Sequence, residues 1–363
     1  MTTQMAGLGM LNRKEWITLA VAVAGTLLTA VLQGIGADHV LVFAIAAVTM
    51  GGLASMVGDA TDQLAVRFGP GATGVLQSAL GNLPELFIAI FALRAGLVGV
   101  VQAALIGSIL GNSLLVLGIA FIVGGLRHGT QTFGKGPTRM MSVLLLLSVA
   151  GLAIPTLATQ PGLPDAPHVG ELSIIVAVVL LVVFAASIPF SLKGGPGASA
   201  ETAPVVEEEA HWPLPLTLVL LVAAGVGAAF VSDWFVEALK PTMTALHLSE
   251  GFTGLVIVAI AGNAVENVVG VQMAARNQPD FAISVILNSS LQVAIALAPA
   301  LVILSRFTGG APLNLVLPPL LLAALALSAI ITALVIYDGE STWLEGTALV
   351  GLYVIIAASF WWG

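Results

Sequence analysis

Eleven stretches of this 363-residue chain are apolar over about the 20 residues that a helix needs to cross a bilayer. They run over roughly 15–34, 39–66, 71–95, 98–125, 138–160, 170–192, 213–238, 249–275, 279–305, 314–336 and 342–362. Hydrophobic residues make up 58% of the chain and charged ones 8%, with a mean hydropathy of +1.06. A soluble domain holds about 45–50% apolar and 25% charged residues. Strands of a membrane barrel would be about ten residues long with alternating polarity, and no stretch alternates in that way. The chain is therefore predicted to be an all-α integral membrane protein. It has no cysteine, which removes disulfides, thiolate metal sites and thiol catalysis.

The first span follows Arg13 and Lys14, and no small-residue cleavage site follows it, so it is read as a retained helix rather than a signal peptide. With the N-terminus in the cytoplasm and eleven spans threaded, Arg13, Lys14, Arg67, Arg127, Lys135, Arg139, Lys193 and Arg276 fall inside. Arg94, Lys240 and Arg306 fall outside, which is the bias expected for that orientation. The long hydrophilic segment from Lys193 to His211 carries a Gly-Gly-Pro-Gly run, Glu201 and Glu207-Glu208-Glu209, and reads as a flexible acidic linker.

That linker divides a repeated sequence. Gly81-Asn82-Leu83-Pro84-Glu85 recurs as Gly262-Asn263-Ala264-Val265-Glu266, an offset of 181 residues, and Ser108 and Ser289 follow at the same offset. Setting the first span aside leaves five spans on each side. An odd count per unit requires the two units to lie in opposite senses across the membrane. The predicted organisation is an N-terminal transmembrane helix (1–36), a five-helix repeat (37–192), the acidic cytoplasmic linker (193–212) and a second five-helix repeat (213–363): one N-terminal helix plus two five-helix inverted-topology repeats.

Carboxylates inside apolar spans are costly and mark function by default. Glu85 and Glu266 have no basic neighbour in sequence. Gly81, Gly262 and Pro84 loosen the backbone beside them, and Pro84 is expected to free a carbonyl one turn upstream. Around them lie Asp59 and Asp62; Gln77, Ser78 and Asn82; Ser108 and Asn112; and Asn263, Asn267, Asn288, Ser289, Ser290 and Gln292. All offer oxygen, and none is Lys or Arg, which favours a cation over an anion. Positions 78, 82 and 85 share one helical stripe, as do 263, 266 and 270, where Gly270 admits a close helix. The plainer readings are interhelical hydrogen-bonding for each Ser and Asn, a solvated or Arg67-paired helix end for Asp59 and Asp62, and helix capping for Glu250. Trp343, Tyr353, Trp361 and Trp362 read as membrane-interface anchors. The five histidines form no metal-ligating pattern.

These stretches resemble the Ca²⁺/cation antiporter superfamily, and specifically its cation/proton exchanger branch. The resemblance is carried by Gly58 through Ala65, Gly81 through Leu93, Gly107 through Gly118, Leu248 through Gly254 and Gly262 through Pro299. It implies eleven spans, ten of them in the inverted repeat. It implies that Glu85 and Glu266 are the central cation-binding and proton-exchanging carboxylates, with Asn82, Ser108, Asn263, Ser289 and Gln292 lining the site. Asp62 matches a family glutamate near the cytoplasmic end of a gating helix, and Glu250 matches another acidic position. Gln77, Asn112 and Asn267 join these two as gating or proton-access candidates. The chain departs from the family pattern at Asn267, where histidine is usual, at Asn288 in place of glycine, and at Gly111 in place of serine. Pro84 is nearer to the sodium/calcium exchanger branch.

The expected function is secondary antiport of Ca²⁺ or a related cation against H⁺ by alternating access, in a prokaryotic inner membrane. Cations and protons, within the lipid bilayer, are the partners. No cofactor, ATP, nucleic acid or covalent chemistry is called for. Na⁺/H⁺ or Na⁺/Ca²⁺ exchange is the alternative within transport. An intramembrane carboxylate enzyme is the alternative outside it, and a passive channel a further one.

Overall fold

The structure is a computed structural model that describes residues 11–68, 80–159, 166–192 and 211–362. Gln77, Ser78 and the acidic linker lie outside the described residues. The elements in chain order are α1 (Arg13–Gly34), α2 (His39–Phe68), α3 (Leu83–Arg94), α4 (Val98–His128), β1 (Gln131–Thr132), α5 (Lys135–Ala158), α6 (Val169–Leu192) and α7 (Leu214–Leu246). They continue with α8 (Glu250–Gly262), α9 (Ala264–Ala275), α10 (Pro279–Leu304), α11 (Pro319–Val335), β2 (Glu340–Ser341) and α12 (Trp343–Ser359). Seven of the helices are long and apolar enough to cross a membrane, or eight spans if α8 and Glu266–Ala275, bent by 66°, count as one. α11 and α12 are apolar but shorter.

Local chemistry sets the helix ends. Asn12 and Glu15 form a reciprocal capping box at the start of α1, and Thr342 and Glu345 do the same for α12. The span predicted over 314–336 starts late, because Pro318 and Pro319 exclude helix before them and suit only the first helical turn. The chain before α11 is extended and buried, and side chains take over its backbone bonding. Gln102 Nε2 donates to the carbonyls of Asn314 and Val316 at 3.1 and 2.9 Å. Thr156 Oγ1 accepts from Leu317 N at 2.9 Å and donates to the Leu315 carbonyl at 3.1 Å.

The chain forms two compact units, each drawing on both sides of the linker: residues 1–91 with 204–247, and residues 92–203 with 248–363. In the first, α2 packs against α1 and α7. Phe43 stacks on Phe235 with ring centroids 4.6 Å apart, and Gly52 lets α2 close on Val21 and Ala22 of α1. In the second, glycines replace side chains where helices meet backbone to backbone. A Cβ on Gly107 of α4 would lie 2.3 Å from the Leu255 carbonyl of α8, and one on Gly254 would lie 2.4 Å from the Val100 carbonyl. Gly270 brings α9 against Ile286 of α10, the close approach that its sequence position suggests. On α12, Gly346, Leu349, Tyr353 and Ile356 form the buried stripe. Tyr353 is thus not an interface anchor: its spacing from Gly346 and Leu349 places it on the packed face. Trp343, Trp361 and Trp362 are exposed.

The 181-residue offset extends to the elements themselves. α3 and α9 begin and end at matching positions. α4 and α10 begin at matching positions and are each interrupted by a π-helical turn in the corresponding place, Gly111–Val116 and Val293–Leu297.

Candidate cation-binding site

Both repeated motifs stand at a helix start. In the second unit α8 ends at Gly262, and Asn263, with φ −102° and ψ 22°, stands between it and α9. Glu266 is then the third residue of α9, and the Asn267 amide closes the first turn onto the Asn263 carbonyl at 3.1 Å. In the first unit the Leu86 amide bonds to the Asn82 carbonyl at 2.9 Å, and Glu85 is the third residue of α3. Pro84 is the second residue of α3. It starts a helix rather than disrupting one, because a first-turn residue has no intrahelical donor to lose. Each glutamate therefore sits in a first helical turn.

Ser108 and Asn112 of α4, Asn263 of the break and Ser289 of α10 form one buried hydrogen-bonded cluster in the second unit. Asn263 Nδ2 donates to Ser108 Oγ and to the Ala259 carbonyl, both at 2.9 Å. Asn112 Nδ2 donates to Ser289 Oγ at 2.9 Å and to Asn263 Oδ1 at 3.3 Å. Ser289 Oγ donates to Asn263 Oδ1 at 3.4 Å. Asn112 sits in the π-helical turn of α4 and is 1% exposed. It bonds two other members of the cluster, a more central place than its sequence reading as an access residue. The signal for it was its four-residue spacing from Ser108. The Gly107–Leu255 contact sets Ser108 against α8 and hence within reach of Asn263.

Asn112 Oδ1 and Asn267 Oδ1 are among the shielded side-chain oxygens of this unit that hydrogen-bond to nothing among the described residues. Glu266 is half-buried with Oε2 shielded from solvent, and Gln292 is half-buried at the end of the regular part of α10. Asn82 and Glu85 are buried within the first unit. Asp62 is exposed on α2, and Glu250 is exposed at the start of α8. Glu250 does not cap that helix; the Ser249 hydroxyl does, accepting from Phe252 N at 3.0 Å. Its carboxylate lies instead over Gly99, where a Cβ would come 2.3 Å from Oε2. Among the described residues no group of three or more His, Asp or Glu could hold a metal ion. The donors in the second unit are amides, hydroxyls and a carboxylate, with no Lys or Arg among them.

The sequence signature described as sodium/calcium exchanger protein matches residues 39–193 and 216–362. The chain belongs to this family. It is 36% identical over 326 residues to the Ca(2+)/H(+) antiporter ChaA of Bacillus subtilis, covering 88% of this chain and 92% of that one. It is 35% identical over 346 residues to a Ca(2+)/H(+) antiporter of Synechocystis, covering 90% and 92%. Among solved structures it matches native YfkE with a TM-score of 0.81 at 32% identity, over 95% of this chain and 99% of that one. It shares its fold with the H+/Ca2+ exchanger CAX at a TM-score of 0.73 and 16% identity, over 96% and 92%.

Proposed function

We propose that this family member exchanges Ca²⁺ for H⁺ across a membrane by secondary antiport, with Glu85 and Glu266 as the carboxylates that bind either the cation or protons. The observation that carries the reading is the buried Ser108–Asn112–Asn263–Ser289 cluster at the helix break. It holds a shielded, unsatisfied acceptor in Asn112 Oδ1, and its member Asn263 is three residues before Glu266. A buried acceptor without a donor is costly, and a hard cation that prefers oxygen ligands relieves it. Relatives named as Ca(2+)/H(+) antiporters at 33–36% identity support the same choice of substrates.

In this reading Asn82 supplies a neutral oxygen beside Glu85 in the first unit, and Asn263, Ser108, Ser289 and Gln292 do so with Glu266 in the second. A carboxylate takes up either a proton or a cation, so cation and protons compete for the same oxygens. The exchange forms no covalent intermediate and draws on the proton gradient. One N-terminal span plus ten more in two inverted five-helix repeats, with the N-terminus cytoplasmic in a prokaryotic inner membrane, would give alternating access a symmetric frame. Asp62 and Glu250 are exposed carboxylates suited to cation entry and exit.

The test is a panel of cations applied to proteoliposomes carrying a pH-sensitive dye. Ca²⁺ is expected to release protons from loaded vesicles with or without Na⁺, with its apparent affinity falling as pH falls. The Glu85→Gln, Glu266→Gln double variant should be inactive. Full exchange by that variant would sink the assignment, and strict dependence on Na⁺ would redirect it to Na⁺/Ca²⁺ exchange.

A further inference from the structure

His211 stands where the chain enters α7, two residues beyond Glu209, and is bonded on both ring nitrogens within the first unit. Its Nε2 lies 3.0 Å from Oε1 of Glu15, a carboxylate only 6% exposed. The other oxygen of Glu15 accepts the Asn12 amide at 2.6 Å in the capping box of α1. A carboxylate only accepts, so Nε2 carries a hydrogen. The Nδ1 atom faces Gln63 Nε2 of α2 at 3.4 Å, and an amide nitrogen only donates, so Nδ1 carries none. The orientation of the Gln63 amide is fixed in turn, because its oxygen accepts the Trp212 amide at 3.2 Å. Arg67, one turn further along α2, donates to the Trp212 carbonyl. The Trp212 side chain is fully buried. The entry to α7 is thus fastened to α1 through Glu15 and to α2 through Gln63 and Arg67, in a pattern that fits the neutral imidazole alone.

A second proton changes that pattern in a defined way. It arrives on Nδ1 and sets donor against donor at Gln63. It also turns the Glu15 contact into an ion pair. Gln63 has no compensating flip, since reversing its amide would point Nε2 at the Trp212 N–H. The charged groups at this end of the packed elements are Arg13, Lys14 and Glu15 on α1 and Asp59, Asp62 and Arg67 on α2; the first turn of α7 brings none. Lys14, Glu15 and Asp62 all act electrostatically on Asp59, so these charges form one local group. Protonation therefore trades a contact with α2 for a stronger one with α1.

We propose that His211 is a proton-binding site distinct from the exchanging carboxylates, and that it reports the pH of the compartment on its side of the membrane to α2. Imidazole is the side chain whose ordinary titration falls in the physiological range. The inference rests on the antiport reading for its effect on rate, but not for the proton binding itself. Competition at the transport carboxylates changes the apparent KM for Ca²⁺, whereas a switch in α2 changes the maximal rate.

Two measurements on the purified full chain test it. Trp212 lies edge-on to His211 with ring centroids 6.4 Å apart, close enough for an imidazolium to quench its fluorescence. Titration from pH 8 to pH 6 is expected to show a quench in the wild type that is absent in His211→Gln. Glutamine keeps a donor and an acceptor but takes up no proton. In oriented vesicles, the maximal rate of the wild type should change about fivefold when pH is varied on the His211 side, the worth of one net hydrogen bond. In His211→Gln it should stay nearly constant, while the pH dependence of KM is retained. An unchanged quench in His211→Gln, or a His211→Gln rate profile like that of the wild type, would overturn the proposal. Absence of transport by the wild type would instead remove the antiport reading and leave the fluorescence titration as the judge of proton binding.

Discussion

Replacing Asn263 with alanine tests whether the helix break is held by its side chain or merely contains it. The amide of Asn263 makes two bonds at 2.9 Å, to Ser108 Oγ and the Ala259 carbonyl. It also receives two longer ones at 3.3 and 3.4 Å, from Asn112 and Ser289. A net hydrogen bond contributes about 1 kcal/mol in soluble proteins, and about 0.6 kcal/mol on average between membrane helices. With the short bonds at the higher value and the long ones below the lower, Asn263→Ala should lose about 2–3 kcal/mol. Ser108→Ala removes one short bond and leaves Nδ2 still satisfied by Ala259, so it should lose only about 0.5–1 kcal/mol. The measurement is thermal unfolding in detergent followed by size-exclusion chromatography, where the first loss corresponds to a fall of roughly 5 °C in midpoint. In the double variant Ser108→Ala should add little beyond Asn263→Ala, because its partner is already gone. Fully additive losses, or an Asn263→Ala protein as stable as the wild type, would refute the idea that this amide ties α4, the break and α10 together.

Three further expectations follow from the same packing. Gly107→Ala places a methyl 2.3 Å from the Leu255 carbonyl, so α4 and α8 must separate; overpacking of this kind costs about 1–3 kcal/mol and should slow transport more than it reduces expression, read by uptake per folded protein. Gln102→Leu strands the carbonyls of Asn314 and Val316 and should cost about 2 kcal/mol in the same unfolding assay, whereas Gln102→Glu at low pH should recover part of it by donating one hydrogen. Glu250→Gln should weaken Ca²⁺ binding from one face only and leave stability unchanged, since Ser249 caps the helix; equal effects from both faces would refute a role at one entrance.

The breaks were legible in the sequence because glycine, asparagine and glutamate repeat together at one offset, and the structure places a helix boundary at each copy. Pro84 was misread for a physical reason: whether a proline breaks a helix or starts one depends on its place in the helix, and Pro84 is the second residue of α3. The start of α11 was overrun because hydrophobic content was counted across Pro318 and Pro319. The central place of Asn112 was only half visible, since a four-residue spacing from Ser108 predicts a shared face on a regular helix and the π-helical turn alters it. Gln102, Thr156 and the His211–Glu15 pair were not seen. Each acts on a partner more than 100 residues away, through a side chain that looks ordinary in its own stretch of sequence.

The paired π-helical turns carry a historical meaning. A π-helical turn accommodates one residue more than an α-helical turn does, so it is the scar left when a residue is inserted into a helix without breaking it. Gly111–Val116 and Val293–Leu297 lie at corresponding positions of the two halves. Two separate insertions would have had to strike the same turn of two helices. One insertion before the chain was doubled accounts for both, and dates the bulge that carries Asn112 to the half-sized ancestor.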